Sequence, residues 1–397
     1  MRSQRLQRNI YLLRLLRIAN MALFTIPVLV VYYRHLGLSM QDVMSLQAIF
    51  AVTMVVIEVP SGYFSDVLGR RTTMIIGTFL ALAGWSLYVF AVSFTEFLIA
   101  ETFLGVGMAF MSGTDSAMLY DTLLEMGHAE NSLKEEGAQL SYANFSEAGA
   151  AIVGGALAAV SLHLPFYVQA VWMIIPIGAA FMLVEPSMHR RVGHQAGIVE
   201  MKSILAQVFQ HDKLIRALIV TSSILSASTL VMVWLLQPYW TYVGIPVALF
   251  GILWASGNAL VGVVSIRAHT IATRVSTRMM LTVLVAAVGV SSIVAGLWPS
   301  MIAAGLLAIM YISRGLLNPV INNELNRRVS SGQRATVLSI RQLGMRFVFL
   351  IAAPFIGYMG DITSIPTSVL ISGALFTTLG GVSLLLWPRN TEVPRSG

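Results

Sequence analysis

Ionisable side chains are scarce in this chain, and those inside apolar stretches are the ones whose chemistry has to be explained. The acidic set is Glu58, Glu101, Asp115, Asp121 and Glu147; the basic set is Arg14, Arg17, Arg314, Arg341 and Arg346. A charge taken into an apolar medium is costly unless paired, so each is a functional candidate. Desolvated carboxylates are readily neutralised, which makes Glu101, Glu147 and Asp115 candidate proton carriers. Arginine presents a planar fork that fits a carboxylate or a phosphate. Arg314, Arg346, Arg341 and Arg17, with the amides Asn20 and Asn318, are therefore candidates for holding an anionic group. Two plainer readings stand beside this one. Arg14 and Arg17, three apart on one helix face, lie near a helix end and can extend to the interface. Arg314 and Arg346 can instead form structural ion pairs with Glu101 or Glu147.

The densest string is Gly62-Tyr63-Phe64-Ser65-Asp66-Val67-Leu68-Gly69-Arg70-Arg71. Gly62 permits close helix approach and Gly69 a tight turn. Asp66 can face Arg70 or sit at a helix N-terminus. Asp121 and Glu58 are expected in the same charge network. The chain has no cysteine, which removes thiolate, disulfide and Cys-nucleophile chemistry. No histidine pair has ligand spacing on one helix, and no Gly-rich phosphate loop is present. No catalytic residue, metal site or cofactor is expected, nor is ATP as an energy source.

Positioning these groups falls to long apolar segments. Of 397 residues, 56% are hydrophobic and 11% charged, against about a quarter charged in soluble domains. Such a chain cannot cover its own surface, which excludes a soluble enzyme, a secreted disulfide protein and a nucleic-acid binder. The segments are continuous rather than alternating, which excludes a β-barrel. A span plus loop takes roughly 30–35 residues, giving about twelve helices. They are placed at 11–33, 40–65, 72–93, 96–121, 137–161, 164–184, 214–240, 246–268, 278–297, 300–323, 335–358 and 366–387. Pro27, Pro176, Pro319 and Pro354 fall inside and would kink or loosen their helices.

Nineteen of the 25 basic residues fall in alternate loops or at the termini, and the opposite side holds only Arg34. The positive-inside rule then places both termini in the cytoplasm and requires an even number of spans. The expectation is a multi-pass protein of the cytoplasmic (inner) membrane, monomeric, with the bilayer and a small molecule as partners and no nucleic acid. The long polar break near the middle divides the chain into 1–185, a linker at 186–213, and 214–397. The two six-span halves show weak internal similarity: Gly113–Asp121 and Gly315–Asn323 occupy the same place late in each half's fourth span. Two such halves around a midplane cavity are an architecture of secondary transporters.

The Gly62–Arg71 string resembles the signature loop of the major facilitator superfamily, roughly G-x-x-x-D-x-x-G-R-[RK]. Gly62, Asp66, Gly69, Arg70 and Arg71 all match. The resemblance implies an all-α polytopic fold with twelve transmembrane helices in two pseudo-symmetric six-helix halves. It also implies that this cluster latches the halves on the cytoplasmic face. The runs Glu58-x-Pro60-x-Gly62 and Asp115–Asp121 look like a bacterial permease or efflux-type branch. Two places depart from proton-coupled drug antiporters. Glu101 stands before Gly105 where those proteins carry an arginine. Gly154-Gly155 follows Ala150-Ala151-Ile152-Val153 without the Gly-Pro pair.

The expected function is secondary active transport of a small organic solute, anionic or amphipathic, by alternating access. Proton coupling and export are favoured. The alternatives are import of an organic anion, or a non-transporting membrane receptor or scaffold on the same fold.

Overall fold

The structure of the protein, a computed structural model, describes residues 2–187, 212–329 and 333–388, and every regular element among them is helical. Twelve helical segments are long and apolar enough to cross a bilayer. Spans 1 to 6 are Gln4–His35, Met40–Glu58, Arg70–Phe90, Phe94–Glu125, Ala129–Val160 and Leu164–Met182. Spans 7 to 12 are Lys213–Tyr242, Val247–Arg274, Thr277–Leu297, Met301–Arg328, Thr336–Ile362 and Ile365–Leu385. Most of the linker expected at 186–213, and the C-terminal arginines Arg389 and Arg395, lie outside the described residues.

Several spans start where a short polar side chain can satisfy the first free backbone N–H groups. Ser39 with Asp42 and Ser93 with Glu96 form reciprocal capping boxes at the starts of spans 2 and 4. Asp212 accepts from the Leu214 and Ile215 N–H groups at the start of span 7.

The helix of span 2 continues to Leu68, and the next helix begins at Arg70. The expected loop at 66–71 is thus mostly helix. Gly69 alone makes the reversal, at φ +95°, a region that residues with a side chain rarely enter. Four spans are broken, among them span 6 at Met173 and span 10 at 307–308. Span 4 divides into Phe94–Met111 and Thr114–Glu125 at Gly113, φ +79°. Span 1 runs as a helix to Met21, then resumes through a short Ile26–Val28 turn carrying Pro27 and the helix Leu29–His35. Of the prolines expected to disturb helices, Pro27 and Pro176 lie at or beside such breaks. Pro319 and Pro354 sit inside continuous helices.

A broken span leaves backbone groups that an apolar surrounding cannot hydrate, so neighbouring side chains must satisfy them. Fully buried Gln169 accepts the Phe24 N–H at 2.9 Å, and the Trp172 indole donates to the Ala19 carbonyl at 3.0 Å. The Ser146 hydroxyl donates to the Ile18 carbonyl at 2.8 Å. Span 5 approaches the break so closely that a Cβ on Gly154 would lie 1.8 Å from the Phe24 carbonyl oxygen.

Two compact units result: Met1–Gly193 with Ile245–Asn258, and His194–Gly244 with Ala259–Gly397. The division by contact therefore cuts span 8, whose first turns go with span 5. Small residues are the reason: a Cβ on Gly251 would lie 2.1 Å from the Ala151 carbonyl oxygen. The first unit has an apolar core where spans 1, 3, 4 and 6 meet, built on Leu13, Leu16, Met74, Leu119, Leu123 and Leu183. The core of the second unit joins spans 7 to 12 around Leu218, Leu281, Ile321 and Val337.

Gly154→Ala is expected to lower the thermal stability of the purified protein, by an overpacking cost of roughly 1–3 kcal/mol. Gly149→Ala, five residues earlier with open space at its Cβ, should not lower the melting temperature. Equal effects of the two would mean that the contact with Phe24 does not constrain span 5.

Candidate functional site

The helix Thr114–Glu125 carries three carboxylates, and each meets an arginine from elsewhere in the first unit. Asp115 pairs with Arg17 of span 1. Asp121 pairs with Arg70 at 3.2 Å. Glu125 pairs with Arg2 at 2.5 Å and also accepts the Ser187 N–H. Arg14, three residues from Arg17, pairs with Glu135 at 2.5 Å, which spans 1 and 5 share. Arg14 and Arg17 are therefore half-buried members of ion pairs. An anion-binding role for Arg17 would require it to leave Asp115.

Arg70 is the hub of the signature string. Its guanidinium lies 3.0 Å from Asp66, donates to the Ser65 hydroxyl at 3.0 Å and pairs with Asp121. The helix N-terminus at Gly69 is capped by Glu185, which accepts the Arg70 and Arg71 N–H groups at 2.7 Å each. That is the position Asp66 was expected to be able to fill. A carboxylate there satisfies two free donors and faces the positive end of the helix dipole. The fit is tight, because a Cβ on Gly69 would come within 3.1 Å of the carboxylate. The Arg71 guanidinium donates to the Phe181 carbonyl. Gly62 is half-buried one turn before Asp66, and Glu58, a further turn away, is exposed. Glu185 was not anticipated. Its partners are backbone amides, which leave no pattern in a sequence; the only trace was a single acid at the end of an apolar run.

Glu101 lies on the other half of span 4, 3% exposed. Its Oε1 accepts from the Tyr33 hydroxyl at 2.8 Å, the Gln47 amide at 2.8 Å and the Tyr88 hydroxyl at 2.5 Å. Phe97 packs edge-on against both tyrosines. Glu147 is half-buried on span 5 and accepts from the Trp254 indole at 3.2 Å and the Asn258 amide at 3.3 Å. The expected arginine partners of these two carboxylates are thus replaced by neutral donors. Arg314 and Arg346 are half-buried on spans 10 and 11, and Asn20 is half-buried just before span 1 breaks.

Arg341, five residues into span 11, is 4% exposed. Its Nη2 donates to Asn318 Oδ1 of span 10 at 3.1 Å, and its buried Nε has no hydrogen-bond partner. Among the described residues it is a deeply buried cation with no carboxylate partner.

A family model, Major Facilitator Superfamily, matches residues 10–343. The chain belongs to the major facilitator superfamily. Its fold is that of the family, twelve transmembrane helices in two six-helix halves. An uncharacterised MFS-type transporter of Methanocaldococcus jannaschii is 26% identical over 110 residues, 27% of this chain and 28% of that one. The chain thus aligns with under a third of that relative's length. Among solved structures, the nucleoside transporter NupG superposes with a TM-score of 0.80 at 14% identity, covering 96% of this chain and all (100%) of the other. A POT family transporter in complex with 5-aminolevulinic acid gives 0.74 at 12% identity, covering 98% and 96%. A D-xylose-proton symporter gives 0.70 at 15%, covering 96% and 97%. The likeness to these structures is one of fold. The protein is a multi-pass membrane protein of a transporter family.

Glu185→Ala should destabilise the first unit by about 0.5–2 kcal/mol, the range for losing a helix cap, seen as a lower melting temperature. Asp66→Asn should leave stability nearly unchanged, because Arg70 keeps Asp121, while reducing transport. A stable Glu185→Ala protein would contradict the capping role, and full transport by Asp66→Asn would contradict a latch.

Proposed function

We propose that the protein is a secondary active carrier of a small organic anion, working by alternating access. The observation that carries this reading is Arg341. A guanidinium this deeply buried without a counter-charge is costly to maintain, and the cost falls when a carboxylate or phosphate enters. Asn318, exposed beside it, adds a polar group at the point of arrival. The ion pairs that neutralise Arg2, Arg14, Arg17 and Arg70 within the first unit support the same choice, since those guanidinia are already engaged.

The carrier is coupled to protons, with Glu147 as the carboxylate that takes them up. Glu147 is half-buried, and its two donors come from span 8. Glu101, closed in by two tyrosines and a glutamine, is then a structural anchor of the first unit. Both termini lie in the cytoplasm of a cell whose inner membrane holds the protein, in keeping with the loop arginines. Net movement is export, in line with the efflux-like runs around Glu58 and Asp115. The Asp66–Arg70–Asp121 network stabilises the state closed on the cytoplasmic face.

Counterflow in proteoliposomes tests the reading. Wild-type protein should show saturable exchange of organic anions and none of their neutral analogues. Arg341→Gln should lose exchange by about the 10-fold or more that follows from losing a charge-assisted bond of ~1.5–3 kcal/mol, while Arg341→Lys retains part of it. Undiminished exchange in Arg341→Gln, or conductance without exchange, would contradict the proposal.

A further inference from the structure

The turn between spans 8 and 9 occupies, in the second half of the chain, the place that the Gly69 turn holds in the first. Around Gly69 each guanidinium has acceptors inside the protein: Asp66, Ser65 and Asp121 for Arg70, and the Phe181 carbonyl for Arg71. The helix of span 8 ends at Arg274 and that of span 9 begins at Thr277, so Arg274 and Arg278 stand on either side of a short turn. Both are exposed. Among the described residues no carboxylate pairs with either. The sequence explains why: no aspartate or glutamate occurs from Lys213 to Asn323. Ser276 caps the start of span 9 by accepting the Met279 N–H. The positive end of that helix dipole adds to the two guanidinia.

One side of span 9 leads away from this turn as an uncovered apolar stripe. Met279, Val283, Val290 and Leu297 are each more than half exposed, and their spacings of four, seven and seven residues put them on one helix face. The opposite face, with Leu281, Leu284, Val285 and Val288, is buried in the core of the second unit. Thr282, exposed beside the stripe, turns its hydroxyl back to the Arg278 carbonyl at 2.9 Å. Trp298, exposed at the far end, lies twenty residues beyond Arg278, about 30 Å at 1.5 Å per residue. That is the thickness of a hydrocarbon layer. Arginine at one boundary and tryptophan at the other are residue types that belong at such boundaries. A bare apolar stripe of this length has hydrocarbon as its surroundings, since water would have to hydrate apolar surface along all of it.

We propose that this turn binds an anionic phospholipid, with the phosphate between Arg274 and Arg278 and an acyl chain along the stripe of span 9. The lipid supplies from outside the negative charge that Asp66 and Asp121 supply within the first unit. Charge complementarity selects the anion, because the guanidinium fork fits phosphate oxygens. The place of the two arginines at the head of a membrane-deep apolar stripe selects a lipid over a soluble phosphate, because acyl chains hold a lipid headgroup at that level. A zwitterionic lipid fits less well: its cationic end meets two guanidinia and no carboxylate. The site uses neither Arg341 nor the anion proposed to reach it, so the two readings stand or fall separately.

The test follows the melting temperature of the full-length protein in an uncharged detergent as phosphatidylglycerol, or phosphatidylcholine with the same acyl chains, is added. Half of the maximal rise should come at a concentration at least ~10-fold lower for phosphatidylglycerol, the effect of a charge-assisted bond. Glycerol phosphate, which lacks acyl chains, should give no rise over the same range. Arg274→Gln combined with Arg278→Gln should bring phosphatidylglycerol down to the level of phosphatidylcholine. Arg328→Gln, which removes an arginine already paired with Glu324 at 2.7 Å, should keep the preference, and so should Arg341→Gln. If the double variant fails to fold, salt decides with the wild type. The preference should shrink between ~0.01 M and ~1 M salt, as the screening length falls from roughly 30 Å to 3 Å. Equal responses to the two lipids, a preference that survives the double variant, or one that salt does not move overturns the proposal. A preference lost in Arg341→Gln places the anion elsewhere and overturns it as well. Glycerol phosphate as effective as the lipid shows a soluble-phosphate site, and overturns it too.

Discussion

The cost of holding a charge away from water organises this molecule. With 11% charged residues in a chain that must bury most of its helices in hydrocarbon or in one another, each ionisable group inside the bundle needs an answer. The first unit answers nearly all of its own. The helix Thr114–Glu125 is an acidic rail that collects Arg17, Arg70 and Arg2 along its length. Glu185 sits at the end of a helix and accepts two of its free backbone N–H groups. Glu101 is satisfied by three neutral donors at a single oxygen. Against that background Arg341 stands out. It is as buried as Glu101, but it has one amide oxygen as partner and an Nε with none.

The same economy governs where the backbone bends. Span 1 breaks beside Gln169 and Trp172, which take over its free N–H and carbonyl groups. Span 4 breaks at Gly113, separating the half that holds Glu101 from the half that holds the acidic rail. Span 3 begins after a one-residue reversal that only Gly69 and the Glu185 carboxylate make possible. Discontinuous helices in a transporter fold mark places where side chains and backbone face something other than lipid. In this chain the break at Gly113 falls two residues before Asp115, the partner of Arg17.

Much of this was legible in the sequence, and the exceptions have physical reasons. Twelve apolar segments of sufficient length leave few architectures open, and the Gly62–Arg71 spacing pointed to the family. The pairing of Arg70 with Asp66 follows from a four-residue separation on a helix. The pairing of Arg17 with Asp115 does not, because it depends on how two spans cross, 98 residues apart. The neutral surroundings of Glu101 were hidden for a related reason: Tyr33, Gln47 and Tyr88 are ordinary residues in three different spans. Glu185 was missed because backbone amides have no signature. The arginine with the strongest claim on an anion, Arg341, was one of four candidates in the sequence. Burial and the lack of a carboxylate separated it from Arg17, and neither is visible without the fold.

The account turns on the claim that Arg341 lacks a counter-charge and that an anionic substrate supplies it. Asn318→Asp tests that claim most directly, because it installs a carboxylate of the same shape at the oxygen that already accepts from the guanidinium at 3.1 Å. If the claim holds, the variant melts at a higher temperature than the wild type in the absence of ligand, and organic anions no longer bind or stabilise it. A variant that melts lower and still binds anions with wild-type affinity would show that the Arg341 charge is compensated by other means, and the account would be wrong.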